Sequence, residues 1–544
     1  MRRREFGRHG ICFPLEIMGR ILKRRPEKIS NRIKCDVLLT LASGVLVGLP
    51  LSGFNIPWLA WIGMVPLFVA IKEKGPIGAF GLGFLAGLVA NSFVLHWVPS
   101  TLFFIQKSWI LSSVVPVLLV FFSSLRFALF CALLNLIRRP IVRSEKEPFP
   151  DALTLVIAPS LWVAFEFIHS ELFPGLPWTF IFQGYSQWGN LNIIQVAEFT
   201  AVYGISFLVV LANFSLYSAI VEKRVFQLGI VLLVLFLCWL YGSWRMALPI
   251  AMEEKKQVKV AILQGNIEPL KKWNEKEADF LAKTYLELNR KAARAKPDLI
   301  LWTETAIPWL ITEGDDLVEA ALRVTRPANA SHLIGNPAPT GNNSHHYHNA
   351  AYFVLPDGRV IGQYNKVRLL TLIEKTSYRP KSLRWFQIHE QFGRYLPARE
   401  QVNLRTPLGN IGVSICNENF YPDLIRHSVE MGAEYLVNMT NDAWFPAETM
   451  LRQHYAQNIF RAIENRREMA VASNVGISSF IDAYGRSKEK TETRKSTCLV
   501  SEITRNHKRS FYTRFGDVFS YLCILFSLLG VIYPVFRKSK RVFR

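Results

Sequence analysis

Charge is scarce in this chain: Asp, Glu, Lys and Arg make up 19% of its 544 residues, whereas 50% are hydrophobic. That balance is more apolar than an ordinary soluble protein and directs attention to membrane segments. Acidic residues are the rarer sign, 42 against 64 basic, for a net charge of +22. The densest basic runs lie beside apolar stretches, where they would meet anionic headgroups, so nucleic acid is not expected as a partner. Cysteine is also sparse. The seven show no CxxC pair and no metal spacing, which excludes a disulfide framework or a thiolate metal centre. The first 35 residues lack a clean apolar core, because Glu16 interrupts the only candidate, so no cleaved signal peptide is expected.

What the chain has in quantity is apolar sequence long enough to cross ~30 Å of hydrocarbon. Such stretches begin near Val37, Pro57, Ile77, Ile110, Ala152, Ala201 and Val225, and one more runs from Val518 to Phe536. Lys and Arg cluster in alternate connections: the N-terminal segment, Lys72 and Lys74, Arg138, Arg139 and Arg143, Lys223 and Arg224, and the tail from Arg537. The connection 170–200 has neither residue. By the positive-inside rule both termini are cytoplasmic and residues of about 250–515 are external. The expected organisation is a basic segment 1–35, a seven-span domain 36–249, an external domain 250–515, a last span 516–536 and a basic tail 537–544. The fold class is thus a multi-pass α-helical membrane protein of about eight spans carrying an external α/β domain. Arg126 and Glu166 are the few charges within or near spans, fewer than a transporter would carry. They are expected at an interface or as a local ion pair.

Between Gln257 and Arg505 short β-type runs alternate with polar helical stretches, the signature of an α/β domain. Strands are expected at 258–265, 298–302, 331–335, 350–355, 360–364, 411–415 and 435–439, with helices at 275–295 and 453–467. Asp357-Gly358 and Tyr484-Gly485 read as hairpin turns. Three polar residues stand where strands end: Glu304, Lys366 and Cys416. Their chemistry fits together. A carboxylate can take the proton of a thiol as it attacks, and an ammonium can favour the thiolate and then stabilise an oxyanion. Cys416 and Cys498 are the external domain's two cysteines. A disulfide between them is one reading, and a free Cys416 is the more useful one.

The segments Trp302-Thr303-Glu304-Thr305-Ala306, Tyr364-Asn365-Lys366 and Ile415-Cys416-Asn417-Glu418 resemble the Glu-Lys-Cys motifs of the nitrilase superfamily. With seven spans before the domain and one after, the chain from about 36 to 536 resembles the apolipoprotein N-acyltransferase family within it. The resemblance implies a nitrilase-like α-β-β-α sandwich, with Glu304 as general base, Lys366 as oxyanion stabiliser and Cys416 as acylated nucleophile. It further implies supporting roles for Glu374 and Glu418, and substrate contacts for Trp273, Asn349 and Trp178, the last in Gly175-Leu176-Pro177-Trp178. The sequence departs from the family pattern at Thr303, Leu372-Ile373 and Asn417, which bears on substrate preference and the shape of the acyl pocket.

The implied reaction moves an acyl chain from a membrane phospholipid, through a cysteine thioester, to the α-amine of diacylated apolipoproteins. The protein would be a monomer in the bacterial cytoplasmic (inner) membrane, its catalytic domain on the periplasmic face. No metal or other cofactor is expected. Ser344-His345-His346-Tyr347-His348 fits no metal motif and reads as a loop. Trp444-Phe445-Pro446 reads equally as a lipid-touching lid or as core. Two rivals remain: a membrane-tethered amidase that resolves the thioester with water, and a scaffold or transporter whose external domain only binds.

Overall fold

A computed structural model of the chain describes residues 29–138, 151–172, 177–249, 257–272, 274–311, 314–341, 346–370, 374 and 395–542. Among these, six helices are long and apolar enough to cross a membrane: Asn31–Leu51, Pro76–Val94, Trp109–Arg138, Leu153–Leu172, Ala197–Val221 and Val225–Ala247. Two of the eight expected stretches are shorter, Pro57–Ile71 and Val518–Tyr533. The first breaks into the 3-10 turn Pro57–Trp61 and the helix Val65–Ile71, each with a proline in its opening positions. A proline there lacks the N–H that a continuous helix would need. The second continues as a helix to Val542, but its apolar run ends before the basic tail.

Small residues let these helices approach closely. A Cβ added at Gly44 would come within 2.6 Å of Val89, and at Gly48 within 2.7 Å of the Ala90 carbonyl. On the next contact, Gly83 and Gly87 face Phe127 and Ser124 at 2.6 and 2.9 Å. Both pairs have the four-residue spacing that packs membrane helices backbone to backbone. The two intramembrane charges meet as the expected local pair. Arg126 is 3.5 Å from Glu166 and donates to the Ile181 carbonyl at 2.8 Å, while Glu166 Oε1 accepts from Trp162 Nε1 and the Gln183 amide, both at 2.7 Å. The pair therefore anchors the turn that connects two spans.

The remaining residues form a sandwich of two six-stranded sheets. The first runs β12-β1-β2-β3-β4-β5: Thr497–Thr504, Gln257–Gln264, Leu299–Leu301, Ser331–Pro339, Tyr347–Val354 and Val360–Asn365. The second runs β11-β10-β9-β8-β7-β6: Ser487–Lys490, Ser479–Ile481, Met469–Ser473, Tyr435–Thr440, Gly409–Ile415 and Leu404–Thr406. β1, β2 and β3 are mutually parallel, as are β7, β8 and β9, so each sheet presents a row of strand C-termini at one end. Such ends are where α/β sheets place ligands.

Alternation along the strands decides the layers. Val260, Ile262, Leu301 and Phe353 pack inward against Val413, Ile415, Val437 and Met439. The outer face of the first sheet, with Leu263, Ile300 and Ile334, is covered by helices Ala278–Arg294 and Asp316–Thr325. The outer face of the second sheet carries helices Pro422–Glu430 and Glu448–Asn465. Their apolar residues share one continuous core with Leu51, Val94, Trp97, Phe180 and Val202 of the membrane domain. The α-β-β-α sandwich is thus fused to the spans through one of its helical layers.

Candidate active site

Every candidate catalytic side chain hangs from the C-terminal edge of a strand. Glu304 follows β2 in a turn, Lys366 follows β5, and Cys416 is the first residue after β7, with a φ of 54°. That left-handed backbone costs a non-glycine residue about 1–3 kcal/mol and reverses the chain sharply into the 3-10 turn Cys416–Phe420. All three are buried, with Glu304 at 6%, Lys366 at 1% and Cys416 at 8% exposure. They line one cavity of about 520 Å³ together with Asn349, Glu374 and Asp442.

Within that cavity the polar groups are tightly paired. Lys366 Nζ lies 2.8 Å from Glu374 Oε2, 3.0 Å from Glu374 Oε1 and 3.4 Å from Glu304 Oε1. Asn349 Nδ2 donates to Glu304 Oε1 at 2.7 Å and to Glu374 Oε1 at 3.1 Å. The other Glu304 oxygen accepts from the Asn441 amide at 2.9 Å, so its carboxylate is held at both ends. Burial pulls the Lys366 ammonium down, but the Glu374 and Glu304 carboxylates outweigh it and the net shift is upward. Lys366 therefore remains a cation. Burial pushes the Cys416 thiol well above its ordinary range, Glu304 adds to the shift, and Lys366 opposes it. Such a thiol is protonated at rest and needs a base at the moment of attack.

Glu418 stands outside this cavity. Its Oε2 accepts from Tyr364 Oη at 2.8 Å and the Ile415 amide at 2.7 Å, and its Oε1 from the Val367 and Arg368 amides at 2.7 and 3.1 Å. It ties the chain after Lys366 to the strand that ends in Cys416. Trp273 and the Leu372-Ile373 pair lie outside the described residues. Trp178 falls in the 3-10 turn Pro177–Ile181, but its side chain is likewise outside the description. Thr303 hydrogen-bonds Tyr285 Oη at 3.1 Å. Asn417 donates to the Arg368 carbonyl at 3.2 Å and keeps a buried Oδ1 that has no partner among the described residues. Cys416 and Cys498 are both free thiols. In the histidine tract His345 lies outside the described residues, and His348 Nδ1 is 2.8 Å from the Leu396 carbonyl.

A second cavity, of about 600 Å³, meets the first at Cys416, Leu370 and Phe445. Its other walls include Trp97, Val98, Leu102, Val115 and Leu119 from the membrane domain. Phe445 stacks edge-on to Trp97 at 5.6 Å, so the Trp444-Phe445-Pro446 tract forms the partition between the two spaces. Cys416 thus has carboxylates and an ammonium on one side and an apolar slot leading among the spans on the other.

The sequence reading did not identify Asp442 and His454. Asp442 Oδ1 is 2.8 Å from His454 Nδ1, and His454 Nε2 is 3.3 Å from the Cys416 carbonyl and 3.1 Å from Asn419 Oδ1. Burial raises the Asp442 carboxyl, but His454 and the Ser473 and Thr440 hydroxyls reverse this and hold it below the usual carboxylate range. The pair braces the backbone of Cys416. Asn441-Asp442 directly follows β8, the same strand-end signal that marks Glu304, Lys366 and Cys416. Lys272 was also missed. It is buried, donates to the Glu304 carbonyl at 2.9 Å, and is pulled by burial, against Glu304, down to about 7.

Comparison with known proteins identifies the family. Residues 43–215 match the model of the apolipoprotein N-acyltransferase N-terminal domain, and residues 259–511 that of carbon-nitrogen hydrolase. The apolipoprotein N-acyltransferase of Geobacter metallireducens is 33% identical over 93% of this chain and 96% of its own length. Those of Gloeobacter violaceus and Thermotoga maritima are 27% and 28% identical, covering 96% and 93% of this chain and 100% and 95% of theirs. This bacterial membrane protein, an acyltransferase with a carbon-nitrogen hydrolase domain, belongs to the apolipoprotein N-acyltransferase family.

Proposed function

We propose that the chain transfers a fatty acyl group from a phospholipid to the α-amine of the N-terminal diacylglyceryl-cysteine of apolipoproteins, with Cys416 as the acyl carrier. The observation that carries this reading is the position of Cys416 on the wall shared by the polar and apolar cavities. An acyl chain lying in the apolar slot brings its ester carbonyl to the thiol, where Glu304 and Lys366 wait.

Glu304 takes the thiol proton as sulfur attacks the ester carbon, and Lys366 stabilises the oxyanion that forms. The tetrahedral intermediate collapses with cleavage of the C–O bond. The leaving alkoxide takes the proton back from Glu304 and departs as lysophospholipid. In the second half the free amine attacks the thioester carbon, Glu304 accepts a proton from nitrogen, and the C–S bond breaks to give an amide, the leaving thiolate taking the proton from Glu304 to restore the thiol and the base. Glu374 and Asn349 position Lys366 and Glu304, and Glu418 positions the nucleophile strand. Trp273 and Trp178 contact substrate.

The same reading places residues of about 250–515 on the periplasmic face of the inner membrane and both termini in the cytoplasm, and takes the working unit to be a monomer. Both substrates are then anchored in the outer leaflet and reach the site by lateral diffusion. The test is intact-mass analysis of the purified protein incubated with phospholipid, beside Cys416→Ala. An acyl adduct labile to hydroxylamine, absent in the variant and discharged by a diacylated lipopeptide, is the expected result. Discharge by water alone would make the protein a hydrolase of the nitrilase type that cleaves the phospholipid ester, and absence of any adduct would overturn the thioester.

A further inference from the structure

A third cavity, of about 1190 Å³ and open to solvent, shares no residue with the two that meet at Cys416. It lies where the Val225–Ala247 span ends and the catalytic sandwich begins. Five cationic side chains line it, Arg245, Arg466, Lys508, Arg509 and Arg514, against one carboxylate, Glu198. That carboxylate is fully engaged by two of them, at 3.2 Å from Arg245 Nε and 2.6 Å from Arg466 Nε. Arg509 donates to the Glu430 carbonyl at 2.6 Å. Lys508 and Arg514 are exposed and have no side-chain partner among the described residues. The cavity is therefore strongly and incompletely compensated positive charge.

Its lower rim is aromatic and apolar. Phe199 packs on Phe511 at 5.9 Å and on Tyr241 at 5.4 Å, Phe511 on Phe515 at 4.5 Å, and Trp244 on Tyr241 at 5.9 Å. Trp244 and Leu240, on the exposed flank of the Val225–Ala247 span, and Phe515, at the end of the helix Phe511–Phe515, are each exposed by 47–56%. Aromatic rings at the end of a span mark the depth of the lipid headgroups. Cations just above that belt lie at the level of the phosphates, where basic side chains attract anionic headgroups.

The geometry points to a binding site for an anionic phospholipid, its phosphate held by Lys508 and Arg514 and its acyl chains lying along the exposed flank of Val225–Ala247. This site is separate from the donor position at the nucleophile. Arg466 directly follows the Glu448–Asn465 helix, and His454 on that helix braces Cys416, so the two lie twelve residues or roughly 18 Å apart along the helix. A lipid bound here does not occupy the acyl slot. It lies at the junction between the Val225–Ala247 span and the sandwich.

The test is native mass spectrometry of the full-length protein in detergent, presented with phosphatidylglycerol or phosphatidylcholine, beside the double variant Lys508→Gln/Arg514→Gln. Both substituted positions are exposed, so the fold is kept, and a circular dichroism melt checks it. Wild type retains phosphatidylglycerol over phosphatidylcholine. At roughly fivefold in affinity per cation near a membrane surface, the double variant loses about thirtyfold. Equal retention by both proteins would overturn the site. Full displacement of the lipid by millimolar inorganic phosphate would reassign it to a free anion. The site rests on the sandwich lying against the bilayer and on no step of acyl transfer. Repeating the measurement on Cys416→Ala keeps its failure distinct from a failure of the thioester mechanism.

Discussion

The two outer layers of the sandwich differ in what they face. The Ala278–Arg294 helix, over the first sheet, buries five of its 17 residues and leaves the others half-buried or exposed. The Glu448–Asn465 helix, over the second sheet, buries 15 of its 18, because its far side rests on the spans. Seven of those buried positions are polar or charged, and several are wired into the membrane domain: Gln453 to the Leu51 carbonyl at 2.7 Å and Arg461 to Tyr185 Oη at 3.2 Å. Buried polar groups need partners, and each partner fixes orientation. The lesson is a division of labour. The water-facing sheet supplies Glu304, Asn349 and Lys366, the membrane-facing sheet supplies Cys416, and closure of the sandwich brings acid–base chemistry to a thiol that opens toward lipid.

The sharpest way to break this division is on the first sheet. Glu304→Gln keeps the shape and loses the proton acceptor, so single-turnover acylation of Cys416 should fall by about 10²–10⁴-fold, the usual contribution of a general base. A loss below tenfold would place the base elsewhere. On the membrane side, Leu119→Trp fills the apolar slot without touching the polar cavity. Transfer of long acyl chains should fall by about tenfold or more, since each methylene kept out of the slot forgoes ~0.8 kcal/mol. Alkylation of Cys416 by a small thiol reagent should be unchanged, and equal transfer of long and short chains would refute the slot.

The smallest effect concerns Lys272 beneath Glu304. Its folded value of about 7 lies below the ordinary 10.5. Between these values the unfolded chain holds a proton that the folded chain has released, so stability contributed here rises as pH rises from about 7 and is at its lowest below it. Thermal midpoints in detergent should climb with pH across that window in wild type and less steeply in Lys272→Met. Parallel slopes would show that Lys272 is paired as a cation.

Much of this was legible in the chain because it depends on local pattern. The inner strands, the hairpin at Asp357-Gly358 and the strand-end positions of Glu304, Lys366 and Cys416 follow from alternation and turn chemistry. β6, of three residues, and the exposed edge strand β11 carry too little pattern to be read. The helix expected at 453–467 begins earlier, at Glu448, with no side-chain cap in the sequence to mark its start. Asp442 and His454 are twelve residues apart on different elements, and only the fold makes them neighbours. The break at Pro57–Ile71 was hidden by its hydrophobicity, although its prolines signalled it.

The bond between Val202 and Glu464 has a consequence for biogenesis. The helix Ala197–Val221 is interrupted at Ala201, with φ 53°, and the Val202 amide released there is accepted by Glu464 Oε1 at 3.0 Å, 262 residues further on. Trp97 Nε1 likewise waits for Gln453, 356 residues later. Chains emerge from the ribosome N-terminus first at about 5–20 residues per second. The early spans therefore enter the bilayer with donors unmatched for many seconds, and those donors form a socket that only the finished sandwich can fill.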